Sequence, residues 1–445
     1  IREKGYQVTY IQGYQNEKEE LGEKQLQDTI EKLKQEYRKK DCVILYFIGL
    51  TESYEGEGYD RKNLKIPQNQ EELLAEIAET VGKNHIAAIS FGGAPMDFSF
   101  EKNVGAILHM YLGGQAVGES VADLISGEVN PSGKLAETIP FSEKDTPAWR
   151  YFAPPNDDVE YRESIFVGYR YYETFHVPVK YPFGYGLSYT SFSYSELNVP
   201  EVYSGGKIQI RFKIKNIGKV SGAEIAQLYI CPIESDVIRS HIELKGFQKI
   251  YLHPGEEKEV ILELDERSFS VYDVEKKAFS MLSGKYQICI GASVHDLQLK
   301  ANMEVVGNSY FRNERELFPD YFREQPHGME ISAEQFYQLL GGEPKHDKEK
   351  KRGEYTVYDS YQDVVNVSMF GKFVRGVVHI GLKIILRGKS ERDPAFKMVK
   401  MGVEEGNLEG LIATSGGIAT PKLIDMLVYN ANKKYLQAFK RLLKK

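Results

Sequence analysis

An apolar run followed at once by an acidic, glycine-containing loop constrains the fold of this chain more than any other feature. Residues 42–50 read CVILYFIGL, with no charged residue and no helical spacing. Such a short continuous run is typical of a strand that is buried on both faces of a parallel sheet. The residues EGEGYDR (55–61) then bring three carboxylates, an arginine and two glycines to the carboxyl end of the strand. Ligands bind at that end in open α/β sheets, so the sequence predicts a functional site there.

The loop has two interpretations. Glycines allow the backbone to approach a ligand closely or to adopt a positive φ. A carboxylate that is partly desolvated beside an aromatic ring has a raised pKa and can act as a general acid near neutral pH. The alternative is a solvated acidic loop without chemistry, and the residues of the loop alone favour neither interpretation.

The surrounding pattern alternates strands with helices, which predicts an α/β fold with a mostly parallel sheet sandwiched by helices. In the first helix, Leu26, Ile30, Leu33 and Tyr37 share one face. Pro67 opens a second helix, and Gly82 stops it. Further strands are predicted at 6–11, 85–95 and 103–114, and a further helix at 115–126.

From about residue 196 the hydrophobic pattern changes to period two. Ile208, Ile210, Phe212 and Ile214 alternate with charged and polar residues, and the pattern recurs around 260–264 and 286–290. Turn signals such as Pro254-Gly255 separate these runs. The pattern predicts an all-β sandwich over residues 196–308.

The remaining residues divide into two further segments. Residues 309–370 are charged and turn-rich, and they are interpreted as a solvated linker. Residues 371–445 are basic and amphipathic, and they predict a helical C-terminal extension. The extension is either a helical cap packed on itself or on the sandwich, or a surface for interfacial membrane contact or for a partner helix.

Composition and missing motifs narrow the function classes. A net charge of −7 gives no general case for nucleic-acid binding. Three cysteines, Cys42, Cys231 and Cys289, predict buried thiols in a reducing, cytoplasmic compartment. No apolar run is long enough to span a membrane, and no motif supports metal or serine-hydrolase chemistry. Because Ile1 stands in what reads as the middle of a helix-to-strand unit, we expect an upstream part of the protein.

Several blocks, in one order along the chain, resemble glycoside hydrolase family 3, the β-glucosidase family. EGEGYDRKNLKIPQNQEELL (55–74) is similar to the family's segment with the catalytic acid/base, although Ile66-Pro67 stands where the family has Leu-Pro. Four further blocks are similar to family motifs or to the family's fibronectin type III-like domain: AAISFGGAPMDF (87–98), VEYRESIFVGYRYYE (159–173), YPFGYGLSYTSF (181–192) and IKNIGKVSGAEIAQLYI (214–230).

The resemblance implies a C-terminal α/β-sandwich domain over 1–195 and a fibronectin type III-like domain over 196–308. It implies that Glu57 is the general acid/base of a retaining β-glycosidase, which needs no cofactor and no metal. Glu55, Tyr59, Asp60 and Arg61 are the expected substrate contacts. The family's nucleophilic aspartate lies on a TIM barrel, and no such repeat occurs in this sequence, so we expect that barrel upstream.

A β-linked oligosaccharide or an aryl or alkyl β-glycoside is the implied substrate, and β-glucosidase is the implied activity. β-Xylosidase or arabinosidase activity is the alternative within the family. The aromatic residues of 166–192 either line a sugar site or pack between domains. The alternative from a different class of function is a non-catalytic carbohydrate-binding or scaffolding protein.

Overall fold

The computed structural model describes the chain except residues 16–20, 38–41, 53, 57–60, 62, 153–158, 308–312, 344–349, 388–392, 405, 416 and 444–445. The chain divides into two compact units. The sheet unit comprises residues 11–94, 103–112 and 345–445, and the sandwich unit comprises residues 1–10, 95–102 and 113–344.

A three-stranded parallel sheet organises the first part of the sheet unit. Its strands run in the order β1-β2-β3. The elements along the chain are α1 (Glu23–Tyr37), β1 (Ile44–Gly49), α2 (Gln68–Val81), β2 (Ile86–Phe91) and β3 (Ala106–His109). The predicted parallel α/β layer is therefore confirmed. The strand predicted at 6–11 is wrong, because these residues carry no regular secondary structure and are mostly exposed.

The two faces of β1 differ in burial. Tyr46 and Ile48 are buried, and the Tyr46 hydroxyl donates to the backbone oxygen of Gln70 in α2 at 2.8 Å. Phe47 points to the opposite face and is 48% exposed, stacked on Phe91 of the neighbouring strand. The predicted burial of this strand on both faces is therefore wrong. The reason is that α2 covers the Tyr46 face, whereas the Phe47 face is partly open to solvent.

The sandwich unit begins with shorter elements and continues with two mostly antiparallel sheets. Its early elements are α3 (Val117–Ser126), β4 (Ile139–Pro140), α4 (Tyr169–Thr174) and β5 (Val179–Tyr181). The strands that follow are β6 (Phe192–Asn198), β7 (Val202–Tyr203), β8 (Ile208–Asn216), β9 (Gly222–Pro232), β10 (Glu243–Leu252), β11 (Glu257–Leu264), β12 (Ser270–Asp273), β13 (Ala278–Met281), β14 (Gly284–Gly291) and β15 (Leu297–Val305).

The alternation of apolar and polar residues places the core of the sandwich as predicted. The two sheets have the orders β10-β9-β14-β15-β7 and β11-β8-β6. Ile210, Phe212 and Ile214 of β8 are buried, and they share one core with apolar residues of β9, β11 and β14. Since side chains alternate between the faces of a strand, the charged residues between them face outward.

The prediction of a solvated linker is wrong for residues 313–340, which are helical and packed. They form α5 (Glu314–Leu317) and α6 (Ala333–Leu340). Phe318, Tyr321 and Phe336 are buried in one aromatic core with Phe166 and Tyr171, which come from much earlier in the chain. These aromatic rings supply the apolar surface that a solvated linker would lack. The same core shows that Phe166 and Tyr171 serve packing, although within the sandwich unit and not between the two compact units.

The C-terminal extension is helical, as predicted, and begins before residue 371. Its helices are α7 (Tyr361–Asn366), α8 (Met369–Ile385), α9 (Pro394–Glu404), α10 (Leu408–Thr414), α11 (Pro421–Ala431) and α12 (Tyr435–Leu443). Val364, Val365, Leu408 and Leu427 are among the buried residues of its core, whose described members all lie between residues 355 and 431. Since α7 is part of this core, the end of the predicted linker is also helical and packed.

The structure bears on the predictions of buried thiols and of no membrane-spanning segment. Cys231 and Cys289 are buried free thiols on neighbouring strands, with their sulfur atoms 3.8 Å apart, whereas the free thiol of Cys42 is only partly buried. Among the described residues, no helix combines the length and the apolar composition needed to cross a membrane.

Candidate active site

The three parallel strands bring their carboxyl ends to one edge of the sheet. Gly49 of β1 is in register with Phe91 of β2, and Ser90 of β2 is in register with His109 of β3. Backbone hydrogen bonds continue beyond the strands, because the amide of Leu50 donates to the oxygen of Phe91 at 3.2 Å. The loops that begin here therefore start from a rigid edge, which is where ligands bind in open α/β sheets.

Glu55 ties the acidic loop to the neighbouring loop after β2. Its carboxylate accepts hydrogen bonds from the backbone amide of Gly93 at 2.9 and 3.0 Å, and from that of Ala94 at 2.9 Å. The backbone amides of Tyr54 and Glu55 both donate to the oxygen of Thr51, which closes a turn before the anchor. Hydrogen bonds to an ionised carboxylate are stronger than neutral ones. The two loops are therefore held together two residues before Glu57.

Gln70 fixes the end of β1, where the loop begins. Its side-chain oxygen accepts from the amide of Gly49 at 3.0 Å, and its side-chain nitrogen donates to the oxygen of Gly49 at 3.0 Å. The Gln70 side chain is almost completely buried. Backbone groups at a strand end need partners when they are buried, and one side-chain amide supplies both. The direction in which the chain leaves β1 is thereby set by a residue of α2.

Ser90, His109 and Tyr111 form a polar and aromatic cluster at the same edge. The Ser90 hydroxyl lies 2.9 Å from Nδ1 of His109, and the rings of His109 and Tyr111 have centroids 4.0 Å apart. Burial lowers the pKa of His109 to about 4, so the imidazole is neutral near pH 7. Ser90 is fully buried, which leaves its hydroxyl no access to a substrate.

Tyr111 has a strained backbone at this edge. Its φ is 49°, in the left-handed region that side chains other than glycine adopt rarely. The backbone oxygen of Tyr111 accepts from the amide of Gly92 at 3.2 Å, which connects the loops after β2 and β3. Such strain persists where surrounding contacts enforce it, and it clusters at functional sites.

The structure describes only part of the predicted site. Glu57, Tyr59 and Asp60 lie outside the described residues. Glu55 and Arg61 are half-buried, and Glu55 contacts the loop after β2 through the three hydrogen bonds above. The predicted substrate contacts of Glu55, Tyr59, Asp60 and Arg61 stay predictions, as does the role of Glu57.

The sequence analysis missed the residues that support the loop. Gln70 and His109 were read only as parts of a helix and a strand. The usable signal was the position of Gln70 on the apolar face of the predicted helix, three and four residues before Leu73 and Leu74. It indicates a buried amide that needs partners, but it does not say which groups they are. No signal in the sequence pairs Glu55 with the amides of Gly93 and Ala94, since both loops have flexible, glycine-containing sequences.

Among the described residues, Glu55 anchors the start of the acidic loop to this rigid edge through its three hydrogen bonds. A loop anchored in this way can present a carboxyl group to a substrate while keeping a defined position. A general acid or base requires this, since proton transfer depends on a heavy-atom distance of about 3 Å.

Comparison with known proteins identifies two family domains in the chain. The model of the glycosyl hydrolase family 3 C-terminal domain matches residues 3–189, and that of the fibronectin type III-like domain matches residues 224–294. Thermostable beta-glucosidase B of Acetivibrio thermocellus is 41% identical over 300 residues, which are 67% of this chain and 39% of that protein. Exo-alpha-(1->6)-L-arabinopyranosidase of Bifidobacterium breve is 37% identical over 61% of this chain and 36% of that protein.

Solved structures give the same result for the fold. The crystal structure of a Bifidobacterium adolescentis GH3 beta-glucosidase superposes with a TM-score of 0.64 and 34% identity, over 69% of this chain and 45% of that one. Beta-glucosidase 3B from Thermotoga neapolitana in complex with alpha-D-glucose gives a TM-score of 0.57 and 33% identity, over 65% of this chain and 40% of that one. The chain thus spans less than half the length of the proteins that it resembles.

Proposed function

We propose, on the premise that this chain belongs to glycosyl hydrolase family 3 through its C-terminal domain, that it forms the acid/base part of a retaining, exo-acting β-glycosidase. The observation that carries the proposal is the acidic loop at the carboxyl edge of the parallel sheet, anchored through Glu55 to the amides of Gly93 and Ala94. Relatives that are named beta-glucosidases support glucose as the terminal sugar.

In the proposed reaction, two carboxylates act from different domains. An aspartate of a TIM barrel attacks the anomeric carbon, while Glu57 donates a proton to the leaving oxygen. Glu57 then removes a proton from the water that releases the sugar, so the configuration at the anomeric carbon is retained. Glu55 acts as a positioning residue, because its carboxylate holds the base of the loop that carries Glu57.

The remaining loop residues have supporting roles in this proposal. Tyr59, Asp60 and Arg61 follow Glu57 after Gly58 and are proposed as sugar contacts. The reaction uses side-chain carboxylates only, so neither a cofactor nor a metal ion takes part. We place the protein in a reducing, cytoplasmic compartment. This is supported by Cys231 and Cys289, which are free thiols although their sulfur atoms lie only 3.8 Å apart.

A second candidate activity is removal of a terminal pentose. The observation that favours it is the relative named exo-alpha-(1->6)-L-arabinopyranosidase, which is 37% identical over 61% of this chain. The choice between the sugars depends on barrel contacts, since only the acid/base loop comes from this chain. Initial rates on aryl β-glucoside, β-xyloside and α-L-arabinopyranoside therefore distinguish the two candidates.

The proposal is tested by measuring this chain alone and this chain joined to a family 3 barrel. We expect the chain alone to leave aryl β-glucosides intact, because the proposed nucleophile of the covalent route is an aspartate of the barrel. Joined to a family 3 barrel, for example that of the Acetivibrio thermocellus relative, it should release the β-anomer of the sugar first, as seen by proton NMR. Turnover by the chain alone, with contaminating glycosidase excluded, would contradict the division of roles. First release of the α-anomer by the joined protein would contradict retention.

A further inference from the structure

Helix α8 of the C-terminal extension presents an apolar stripe to solvent. Its members are Met369, Phe373, Val377, Ile380 and Ile384, which recur at steps of four, four, three and four residues and are between 54% and 90% exposed. This spacing places them on one face of the helix. A face of this length with five large apolar side chains is more than scattered surface hydrophobicity, and such patches mark interaction sites.

The other side of α8 is already occupied. Phe370, Val374 and Val378 pack into the core of the extension. Gly371 approaches α7 so closely that a Cβ atom at this position would lie 2.4 Å from the backbone oxygen of Val365. Since this packing fixes the rotation of the helix, the stripe cannot turn inward to bury itself.

Helix α12 repeats the arrangement. Tyr435, Leu436, Phe439, Leu442 and Leu443 are between 49% and 69% exposed and lie on one face. Ala438, beside this stripe, is buried, and α12 packs against α11. Two helices of the same small domain therefore each expose an apolar stripe.

Basic residues accompany both stripes. Neither α8 nor α12 contains Asp or Glu. The exposed residues Lys372 and Lys383 lie about 100° and about 80° round α8 from the middle of its stripe, which is where side chains flank an apolar face. Lys440 is exposed beside the stripe of α12.

The charge is concentrated in the extension. Residues 371–445 contain 15 Lys and Arg against six Asp and Glu, a net charge of +9, in a chain whose total is −7. Residues 1–370 therefore carry −16. An anionic surface would attract the extension and repel the rest of the chain. The asymmetry of charge therefore indicates that the extension is the part that docks and that its binding surface is anionic.

We propose that α8 and α12 dock on an anionic phospholipid surface, with the apolar stripes in the headgroup boundary and the lysines on the phosphates. Helices that are apolar on one face and basic on the next lie in the plane of the interface in this way. Lysine side chains reach past an apolar face to the headgroups, since their methylene stems tolerate apolar surroundings. This inference is independent of the proposed glycosidase activity.

Co-sedimentation of the full chain with vesicles tests the proposal. We expect binding to vesicles of phosphatidylcholine mixed with phosphatidylglycerol, little binding to phosphatidylcholine alone, and weakening by salt as the surface charge is screened. Phe373→Ser/Ile380→Ser should lower the partition coefficient about tenfold or more, since two large apolar side chains leave the interface. Phe247→Ser/Ile217→Ser, which changes exposed apolar residues of the sandwich, is the matched control and should bind as the wild type does.

A charge-reversal pair separates the two contributions. Lys372→Glu/Lys383→Glu should lower binding to the anionic vesicles about tenfold or more. Lys249→Glu/Lys285→Glu makes the same change of net charge on exposed positions of the sandwich and should have little effect. No binding to anionic vesicles at low salt, equal binding to neutral vesicles, or equal losses in both charge pairs would overturn the proposal. Self-association without lipid that Phe373→Ser/Ile380→Ser abolishes would assign the stripe to a second copy of the chain instead.

Discussion

At the scale of single residues, two glutamates separated by one glycine are proposed to have different tasks. The carboxylate of Glu55 accepts three backbone hydrogen bonds from Gly93 and Ala94, so it is placed to hold two loops together. Glu57 follows Gly56, which has no Cβ atom and therefore leaves the backbone free to turn. A carboxylate used for anchoring cannot also move to meet a leaving group, and this physical conflict supports separate roles.

Gln70 is predicted to be a major source of stability for the start of the loop. Gln70→Leu leaves the amide and the oxygen of Gly49 without their present partner, and a buried unpaired group costs about 1–3 kcal/mol. We expect the free energy of local opening at the end of β1 to fall by about 2–4 kcal/mol, measured by hydrogen exchange.

Gln68→Leu is the control for this change. Gln68 is exposed and bonds to Glu72 of the same helix, so its replacement should change the free energy of opening by less than about 0.5 kcal/mol. Equal effects of the two substitutions would show that the Gln70 amide is not what fixes the end of β1.

His109 makes the sheet edge sensitive to pH. Burial lowers its pKa to about 4, below the ordinary value of 6.5, so the unfolded state takes up the proton first as the pH falls. The contribution of His109 to the free energy of unfolding is therefore lost progressively from about pH 6.5 down to about pH 4, and it is constant above that window.

The measurement is the pH dependence of opening of the β2 and β3 amides. In the wild type, we expect these amides to open more readily at about pH 5 than at about pH 7. In His109→Gln, we expect this difference between the two pH values to be smaller. His379→Gln, at an exposed position of α8, should leave the pH dependence unchanged. A His109 that titrates in NMR near its ordinary pKa would contradict this interpretation.

At the scale of elements, residues 313–340 belong to a packed core. Phe318, Tyr321 and Phe336 share that core with Phe166 and Tyr171. The Tyr171 hydroxyl also donates to the backbone oxygen of Gln325 at 2.6 Å and accepts from the amide of Gly328 at 3.0 Å. Removing this segment would expose aromatic surface and leave these polar groups without their partners.

Two truncations test the boundary. A chain ending at residue 308 should aggregate or lose its cooperative melt, because the aromatic core around Phe166 loses its cover. A chain ending at residue 343 keeps α5 and α6, so it should remain soluble and melt cooperatively. Equal solubility and melting of the two chains would show that the segment contributes little to the fold.

The elements also show what the sequence could predict. In β8 and β11 the alternation of Ile210 or Val260 with charged residues predicted the buried face, because one-residue steps reverse the side chain. In residues 313–340 the apolar residues are irregularly spaced, and their partners lie about 150 residues earlier in the chain. Hydrophobic periodicity reports local repeats, so a core made of distant segments leaves no such signal.

At the scale of the whole molecule, the predicted α/β, sandwich and helical parts are confirmed. The resemblance to glycoside hydrolase family 3 is confirmed by the two family models, and the second of their matches ends at residue 294. The contacts at the candidate site could not be predicted, because the anchor of Glu55 and the clamp of Gln70 join residues more than 20 positions apart. The extension lies beyond the matched residues, and its surface suggests a role apart from the chemistry.

The central claim is that Glu57 is the acid/base and Glu55 its support, and azide rescue in the protein joined to a family 3 barrel tests it directly. A good aryl leaving group needs little protonation, so Glu57→Ala should spare glycosylation and stall the attack of water. Azide needs no base, so it should restore turnover and give the β-glycosyl azide. Glu55→Ala should lower turnover without rescue, because azide cannot replace the contacts with Gly93 and Ala94. Rescue of Glu55→Ala with none for Glu57→Ala would contradict the account.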